Sequence, residues 1–429
     1  MRKTLTALVI TPEPAWPVRN GSDVRIHQLI RSLAEFSEFD IATLAPTFVH
    51  VNPEEARRQL GARSISVVRH SPPLKQIVAL KSLATSKPMG LIMYRSEPMR
   101  NIVAALSAQN RYDVCLIFGG FCMAAYAADA QARRLILDMS DDAAMNKERR
   151  ALVAGNSFAR AFYRWQAKLI RSHLRKTSPA FARILASSPV DAASISRYVD
   201  VPVIAVPNSV NVEFFRPAPL DVSIPHDPLL LFVGAMNYRP NRDAVRWFTS
   251  SVLPLIISQN SGTRLQLAGP GSDGETNGDP SVVSVGFAEN LAEEYRKCDV
   301  FVCPLRVGTG IKNKMLEALS SGCAIVSTGI GIEGLDVRHE EHLLVANDPF
   351  EFAAAVKRLL SEPELRNRLG RAARVFAEQF LSPESVGNRL RAAILPEDCQ
   401  RERHSSKIRT AKENSVRQFE ATSLRDAME

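Results

Sequence analysis

The chain has 429 residues, 45% apolar and 23% charged, which suits two globular domains with ample cores and excludes a disordered or fibrous protein. Six scattered cysteines form no C-x-x-C pair and show no metal spacing, those in apolar runs read as small core residues, and no apolar run approaches the roughly 20 residues of a spanning helix. The net charge of +9 is uneven, +12 over residues 1–205 and −3 over 206–429, so an anionic partner is expected on the first half.

The opening MRKTLTALVI runs straight into Pro12, Glu13 and Pro14, which reads as a first strand and not as a leader. Further strands are predicted over 39–44, 64–69, 112–118, 134–138, 183–187 and 203–206, with helical patterns between most of them. Over 24–36, Ile26, Leu29, Ile30 and Leu33 share one helical face. A turn-rich stretch, VPNSVNVEFFRPAPL (206–220), marks a hinge. Strands then follow over 229–233, 265–268, 282–285, 300–304, 324–327 and 342–345, and helices over 241–258, 291–297, 311–321, 349–360 and 362–380. Strands separated by helices imply parallel sheets with crossover connections.

The expected fold is α/β, two doubly wound parallel-sheet domains over 1–205 and 206–380 that face an interdomain cleft. A C-terminal helix over 381–395 can cross back to the first domain. The polar segment 396–429 is expected to lack a fold of its own. Ligands of such sheets bind beyond the carboxyl ends of the strands, so the cleft is the expected site.

The most informative run is PLRVGTGIKNKMLEAL (304–319). An apolar strand ends in a turn with Gly308, Thr309 and Gly310, then feeds a helix carrying Lys312, Lys314 and Glu317. A bare glycine turn at a helix start offers N–H groups to an anion, and lysines add charge for a phosphate. Glu317 stands where a carboxylate can accept from ribose or sugar hydroxyls. Together these features describe a nucleoside diphosphate site.

Four runs in order, GAMNYRPNRDAVRWF (234–248), LAGPGSD (267–273), VGFAENLAEEYRKCDVFVCPLRVGTGIKNKMLEALSSG (285–322) and AIVSTGIGIEGLDV (324–337), resemble the donor-binding domain of family 4 glycosyltransferases. The branch it is most similar to serves exopolysaccharide or glycolipid assembly. The resemblance implies the GT-B fold, with two Rossmann-like domains, and a nucleotide-sugar held by the second. Glu317 then matches the second Glu of the family's paired-Glu motif and would hold the ribose. Arg239, Arg306 and Lys312 become the candidates for the diphosphate. Gly234, Gly269 and Gly271 would let phosphates approach, and Gly286 and Phe287 would border the base. Gly21 and Ser22 open a helix that faces the cleft.

The chain departs from the pattern. The first Glu of the pair falls near Gly308 or Thr309, and the family's first-domain His falls at Ser140 or Met139. Asp141 or Asp142 is the expected substitute beside the acceptor hydroxyl, with Arg239 and Lys312 assisting departure of the phosphate. Helix capping is the plainer role for both aspartates. No D-x-D triplet occurs, so no metal or other cofactor is expected.

In 156–178, Phe158, Phe162, Trp165 and Leu169 recur at helical spacing, as do Arg160, Arg164, Lys168, Arg171 and Arg175, about 200° away. With the aromatics packed inward, the basic row would meet an anionic membrane or a lipid-linked acceptor. Localisation is expected in the cytoplasm, peripheral on the inner face of the membrane. Acceptor specificity is expected in loops such as 72–98. A non-catalytic nucleotide-sugar-binding relative in a polysaccharide complex and a nucleotide-sugar epimerase are the alternatives. No nucleic-acid motif appears.

Overall fold

In β1 (Leu5–Thr11), Leu8 and Ile10 enter one core while Ala7 and Val9 enter another, so both faces are buried. That is why the strand reads as an unbroken apolar run, as parallel strands covered by helices do. The computed structural model describes residues 5–18, 21–152, 154–218, 227–308 and 310–395. Thr309, the Ser22 side chain and the expected polar tail 396–429 lie outside the described residues.

The first sheet adds β2 (Ser37–Pro46), β3 (Ser64–His70), β4 (Tyr112–Ile117), β5 (Ala132–Ser140), β6 (Arg183–Ala186) and β7 (Val203–Ala205). Its order is β3-β2-β1-β4-β5-β6-β7 and every pairing is parallel. The second sheet contains β8 (Leu229–Val233), β9 (Arg264–Ala268), β10 (Val282–Gly286), β11 (Val300–Cys303), β12 (Ile325–Ser327) and β13 (Leu344–Val345). It runs β10-β9-β8-β11-β12-β13, again parallel throughout. Strand order reverses between β1 and β4 and between β8 and β11, which opens a crevice at each point.

Two stretches of chain join the domains. The first runs through Val206–Val210. The second precedes helix Pro383–Ile394, which returns to the first domain and buries Val386, Leu390 and Ile394 against Ile26, Leu29, Ile30 and Leu33. The two crossings lie side by side, the Val210 N–H donating to the Leu381 carbonyl at 2.8 Å.

Three expectations change. The helix expected over 241–258 is split into Arg239–Trp247 and Leu253–Ile257 by a wider π turn, Phe248–Val252. Pro254 has no N–H to give the helical ladder, and the wider turn absorbs that gap. The helix expected to begin at Ile311 begins at Asn313, because Gly310 (φ +68°) and Lys312 (φ −96°, ψ 109°) are not helical. Residues 72–98 are not a loop region: helices Lys75–Thr85 and Met89–Met93 occupy most of it.

Candidate active site

The glycine turn after β11 opens onto the cleft. A Cβ built on Gly308 would meet nothing within 4 Å, and one on Gly310 would meet only Asp141 of the first domain, at 3.8 Å. Helix Asn313–Ser320 starts here with Lys312 at its N-cap position. The Lys312 Nζ is buried and has no hydrogen-bond partner among the described residues. Burial lowers its pKa; the Glu333 carboxylate opposes the shift and the Arg149 guanidinium adds to it. A buried ammonium without an acceptor, beside a bare turn at a helix start, suits an anion.

A second layer lies behind the turn. The Lys314 Nζ donates to Asn241 Oδ1 at 2.8 Å and stands 4.0 Å from the Phe232 ring centroid. Burial takes its pKa down to about 8. Gly234 is held to glycine by this pair: a Cβ there would lie 2.5 Å from Asn241 Nδ2 and 2.7 Å from Lys314 Nζ. One turn on, Glu317 accepts from the Tyr295 hydroxyl at 2.8 Å. Burial raises the Glu317 pKa, and Tyr295 and Lys314 hold the rise down.

The first domain contributes Asp141 and Arg149. Ser140 ends β5 at φ +57°, a left-handed conformation that costs a non-glycine residue about 1–2 kcal/mol. Asp141 follows, accepts from Asn146 Nδ2 at 2.6 Å and faces Gly310. Burial pushes its carboxyl up to about 6, with Asn146 pulling down and Asp191 adding to the rise. Asp142 has a different role. Its oxygens accept from the Ala144 and Met145 N–H groups and from the Tyr198 and Ser194 hydroxyls, so it is a helix cap and not a reacting group. Arg149 reaches across the cleft, donating to Glu333 at 2.8 Å and to the Gly308 carbonyl at 3.4 Å. Its pKa is raised by the Glu333 hydrogen bond.

Other expected donor residues fall elsewhere. Arg306 is paired in two-pronged fashion with Asp243 (2.6 and 3.1 Å) and is not a free guanidinium. With the exposed Arg239 it lines a cleft of about 510 Å³ walled by Arg242, Arg246 and Trp247, whose lining includes neither Lys312 nor Glu317. Gly269 packs backbone on backbone: a Cβ there would fall on the Gly234 carbonyl, and its N–H donates to Gly286 O at 2.7 Å. Gly271 (φ +79°) only turns the chain into Ser272–Glu275. Gly286 has open space beside it, and Phe287 is 77% exposed. Gly21 lies against the second domain, its built Cβ 3.6 Å from Asn313 Nδ2.

Helix Ser157–Thr177 buries Gln166, Ala167, Ile170 and Leu174, and not the aromatic row as expected. Phe158 is 77% exposed, and Phe162 and Trp165 are half-buried with ring centroids 5.7 Å apart. Arg160, Arg164, Lys168 and Arg175 face solvent, whereas Arg171 is paired with Glu148.

The sequence reading missed Arg149, Glu333 and Asn208, and it named Lys314 without its partner Asn241. Asn208 joins Arg25 to Asn313, accepting from Arg25 Nη1 at 3.0 Å and donating to Asn313 Oδ1 at 2.8 Å. Glu333 does lie in the GIEGL run that carried the family resemblance.

Residues 227–362 match the family model described as Glycosyl transferases group 1. A protein of the cps region of Klebsiella pneumoniae, 44.6 kDa and uncharacterized, is 27% identical over 207 residues; the match covers 46% of this chain and 52% of that protein. This chain therefore spans about half the length of that relative. Among solved structures, Anabaena HepE in complex with UDP superposes with a TM-score of 0.64 at 10% identity, covering 90% of this chain and 99% of that one. Sucrose-phosphate synthase from Thermosynechococcus elongatus gives 0.64 at 15% identity, covering 94% and 100%. Residues 227–362 are thus similar to the glycosyl transferases group 1 family, and the two domains together take the GT-B fold.

Proposed function

We propose that this protein transfers a hexosyl group from a nucleotide diphosphate sugar to a glycan or lipid-linked acceptor, with retention of configuration and without a metal. The observation that carries this reading is the buried Lys312 ammonium, unpartnered among the described residues, at the bare Gly308–Gly310 turn opposite Asp141. The donor diphosphate would sit on the turn, its charge met by Lys312 and the start of helix Asn313–Ser320. Glu317 would accept from the ribose hydroxyls.

In the transfer the bond from the anomeric carbon to the diphosphate oxygen breaks. The acceptor hydroxyl oxygen bonds to that carbon on the same face. Lys312 and the turn N–H groups stabilise the charge gained by the departing diphosphate. Asp141, which faces Gly310 and has its carboxyl pushed up to about 6, would take the acceptor proton. The HepE neighbour bound to UDP-glucose makes UDP the first base to test. The solvent-facing Arg160, Arg164, Lys168 and Arg175 give the acceptor half an anionic surface as partner, which fits work on the cytoplasmic face of a membrane.

The test is calorimetric titration of UDP, GDP and ADP into EDTA-treated protein, wild type and Lys312→Ala, followed by turnover of the matching sugar nucleotides. Micromolar binding lost in the variant, with product of retained configuration, supports the reading. Binding without turnover would leave the non-catalytic relative. No binding by folded protein would remove the donor site.

A further inference from the structure

Helix Gly21–Ala34 of the first domain grips the chain where it crosses to the second. Arg25 and Gln28, three residues apart and so on one side of the helix, make the contacts. The Gln28 amide donates to the Ser209 carbonyl at 2.7 Å and accepts from the Ser209 N–H at 3.1 Å. The Arg25 guanidinium forks onto Asp138 at 2.6 and 3.1 Å. Its Nη1 donates to the Val206 carbonyl at 2.8 Å and to Asn208 Oδ1 at 3.0 Å. The side chains of Arg25 and Asp138 are 3% and 1% exposed. A buried ion pair gives little net stability, because desolvation offsets the attraction. What this one supplies is direction.

A guanidinium has N–H groups and no acceptor. It therefore sets which end of the Asn208 amide faces it: the oxygen turns to Arg25 and the NH2 away. That NH2 donates to Asn313 Oδ1 at 2.8 Å. Asn313 is oriented in its turn, with its oxygen towards the linker and its own NH2 on the other side. Asn313 Nδ2 has no hydrogen-bond partner among the described residues and stands 3.6 Å from a Cβ built on Gly21, at the seam between the domains. Asn313 is the first residue of helix Asn313–Ser320 and directly follows Lys312. Two amides in series thus carry donor polarity from a buried cation of the first domain to the helix start behind the glycine turn.

We infer that the Asn313 NH2 is a further donor to the anion held at the Gly308–Gly310 turn, aimed there by Arg25 acting through Asn208. Asn313 is then a binding residue, and Asn208 and Arg25 are positioning residues. Orientation matters because the amide has two faces: its NH2 attracts a phosphate oxygen, and its carbonyl repels one. The inference rests on the proposed donor site and adds to it a contact governed from the interdomain linker.

The test is calorimetric titration of UDP into the EDTA-treated full chain: wild type, Asn313→Ala, Asn208→Asp and the double variant, each with a thermal melt. Asn313→Ala should weaken UDP binding about tenfold. Asn208→Asp leaves no N–H at that position, so Asn313 turns its NH2 to the new carboxylate and its oxygen to the ligand. The loss of affinity should match or exceed that of Asn313→Ala. In the Asn313→Ala background the same change should cost no more than about twofold, since no amide remains to be turned. Asn208→Leu leaves Arg25 its Asp138 and Val206 contacts. It gives the same cycle with a smaller loss of about threefold, and it serves where the aspartate variant fails to fold. Wild-type affinity in Asn313→Ala would overturn the ligand contact. An equal loss from the change at Asn208 in both backgrounds would mean that its charge or packing acts directly, and would overturn the relay. Either result leaves the donor site standing. Absence of UDP binding by folded wild type would overturn the donor site itself and this inference with it.

Discussion

The Arg149 guanidinium leaves the first domain and closes on the Glu333 carboxylate of the second, 2.8 Å away, and it also donates to the carbonyl of Gly308 in the glycine turn. One side chain of the first domain thereby contacts both Glu333 and the glycine turn of the second. Both partners are partly buried, so the pair is worth more than a surface ion pair and still on the order of 1 kcal/mol. A double-mutant cycle with Arg149→Ala and Glu333→Gln should show coupling of that size in unfolding. Small-angle scattering should show a larger radius for either variant, and an unchanged radius would mean that the pair does not hold the cleft.

Lys312→Ala should separate binding from stability. The variant removes a buried ammonium whose Nζ has no hydrogen-bond partner among the described residues, so the melting temperature without ligand should stay level or rise. The upward shift given by UDP should shrink, reflecting an affinity loss of about tenfold or more. A fall in ligand-free stability of the usual core size would place Lys312 in the scaffold.

Asp141 gives a pH signature. Its carboxyl sits near 6 when folded and near the ordinary value of 3.8 when unfolded. Between these values the folded state binds more protons, so stability falls as pH rises through the window, and the penalty persists above it. Asp141→Asn should therefore be the more stable protein at pH 7–8, by on the order of 1–2 kcal/mol, with the difference shrinking towards pH 4. If Asp141 takes the acceptor proton, the acid limb of the kcat/KM profile near pH 6 should vanish in the variant. A limb that survives would assign it to another group.

Two glycine variants should part company. Gly269→Ala would press its methyl on the Gly234 carbonyl and should destabilise by about 1–3 kcal/mol or more. Gly308→Ala meets no neighbour within 4 Å and pays only for its backbone conformation (φ +139°). It should stay folded and lose affinity for the nucleotide, because its methyl stands where the donor phosphates would pass. Thermal melts and UDP calorimetry on the two proteins check both statements.

The frame was legible because its strands are buried on both faces and so appear as short apolar runs between helices; β1, β4 and β11 are examples. The glycine turn and Lys312 were legible because strand, turn and helix start are consecutive in the chain. The cross-cleft contacts were not. Arg149 and Glu333 lie 184 residues apart, and nothing local in either segment announces the partner. Asp142 looked like an acid–base candidate because a cap and a reacting carboxylate have the same local sequence; only the hydroxyls of Ser194 and Tyr198, brought in by the fold, tell them apart. Helix Lys75–Thr85 escaped notice because its apolar residues sit on the outward side, where the amphipathic rule expects polar ones.

The return of helix Pro383–Ile394 to the first domain sets an order of events during synthesis. Ile26, Leu29, Ile30 and Leu33 are made early, yet the residues that share their core, Val386 and Leu390, emerge only after the whole second domain has left the ribosome. The first domain must therefore wait, with an apolar helix face unfinished, while more than half of the chain is still being translated. A protein truncated before Pro383 would lose more than its last helix, since its oldest domain would remain incomplete.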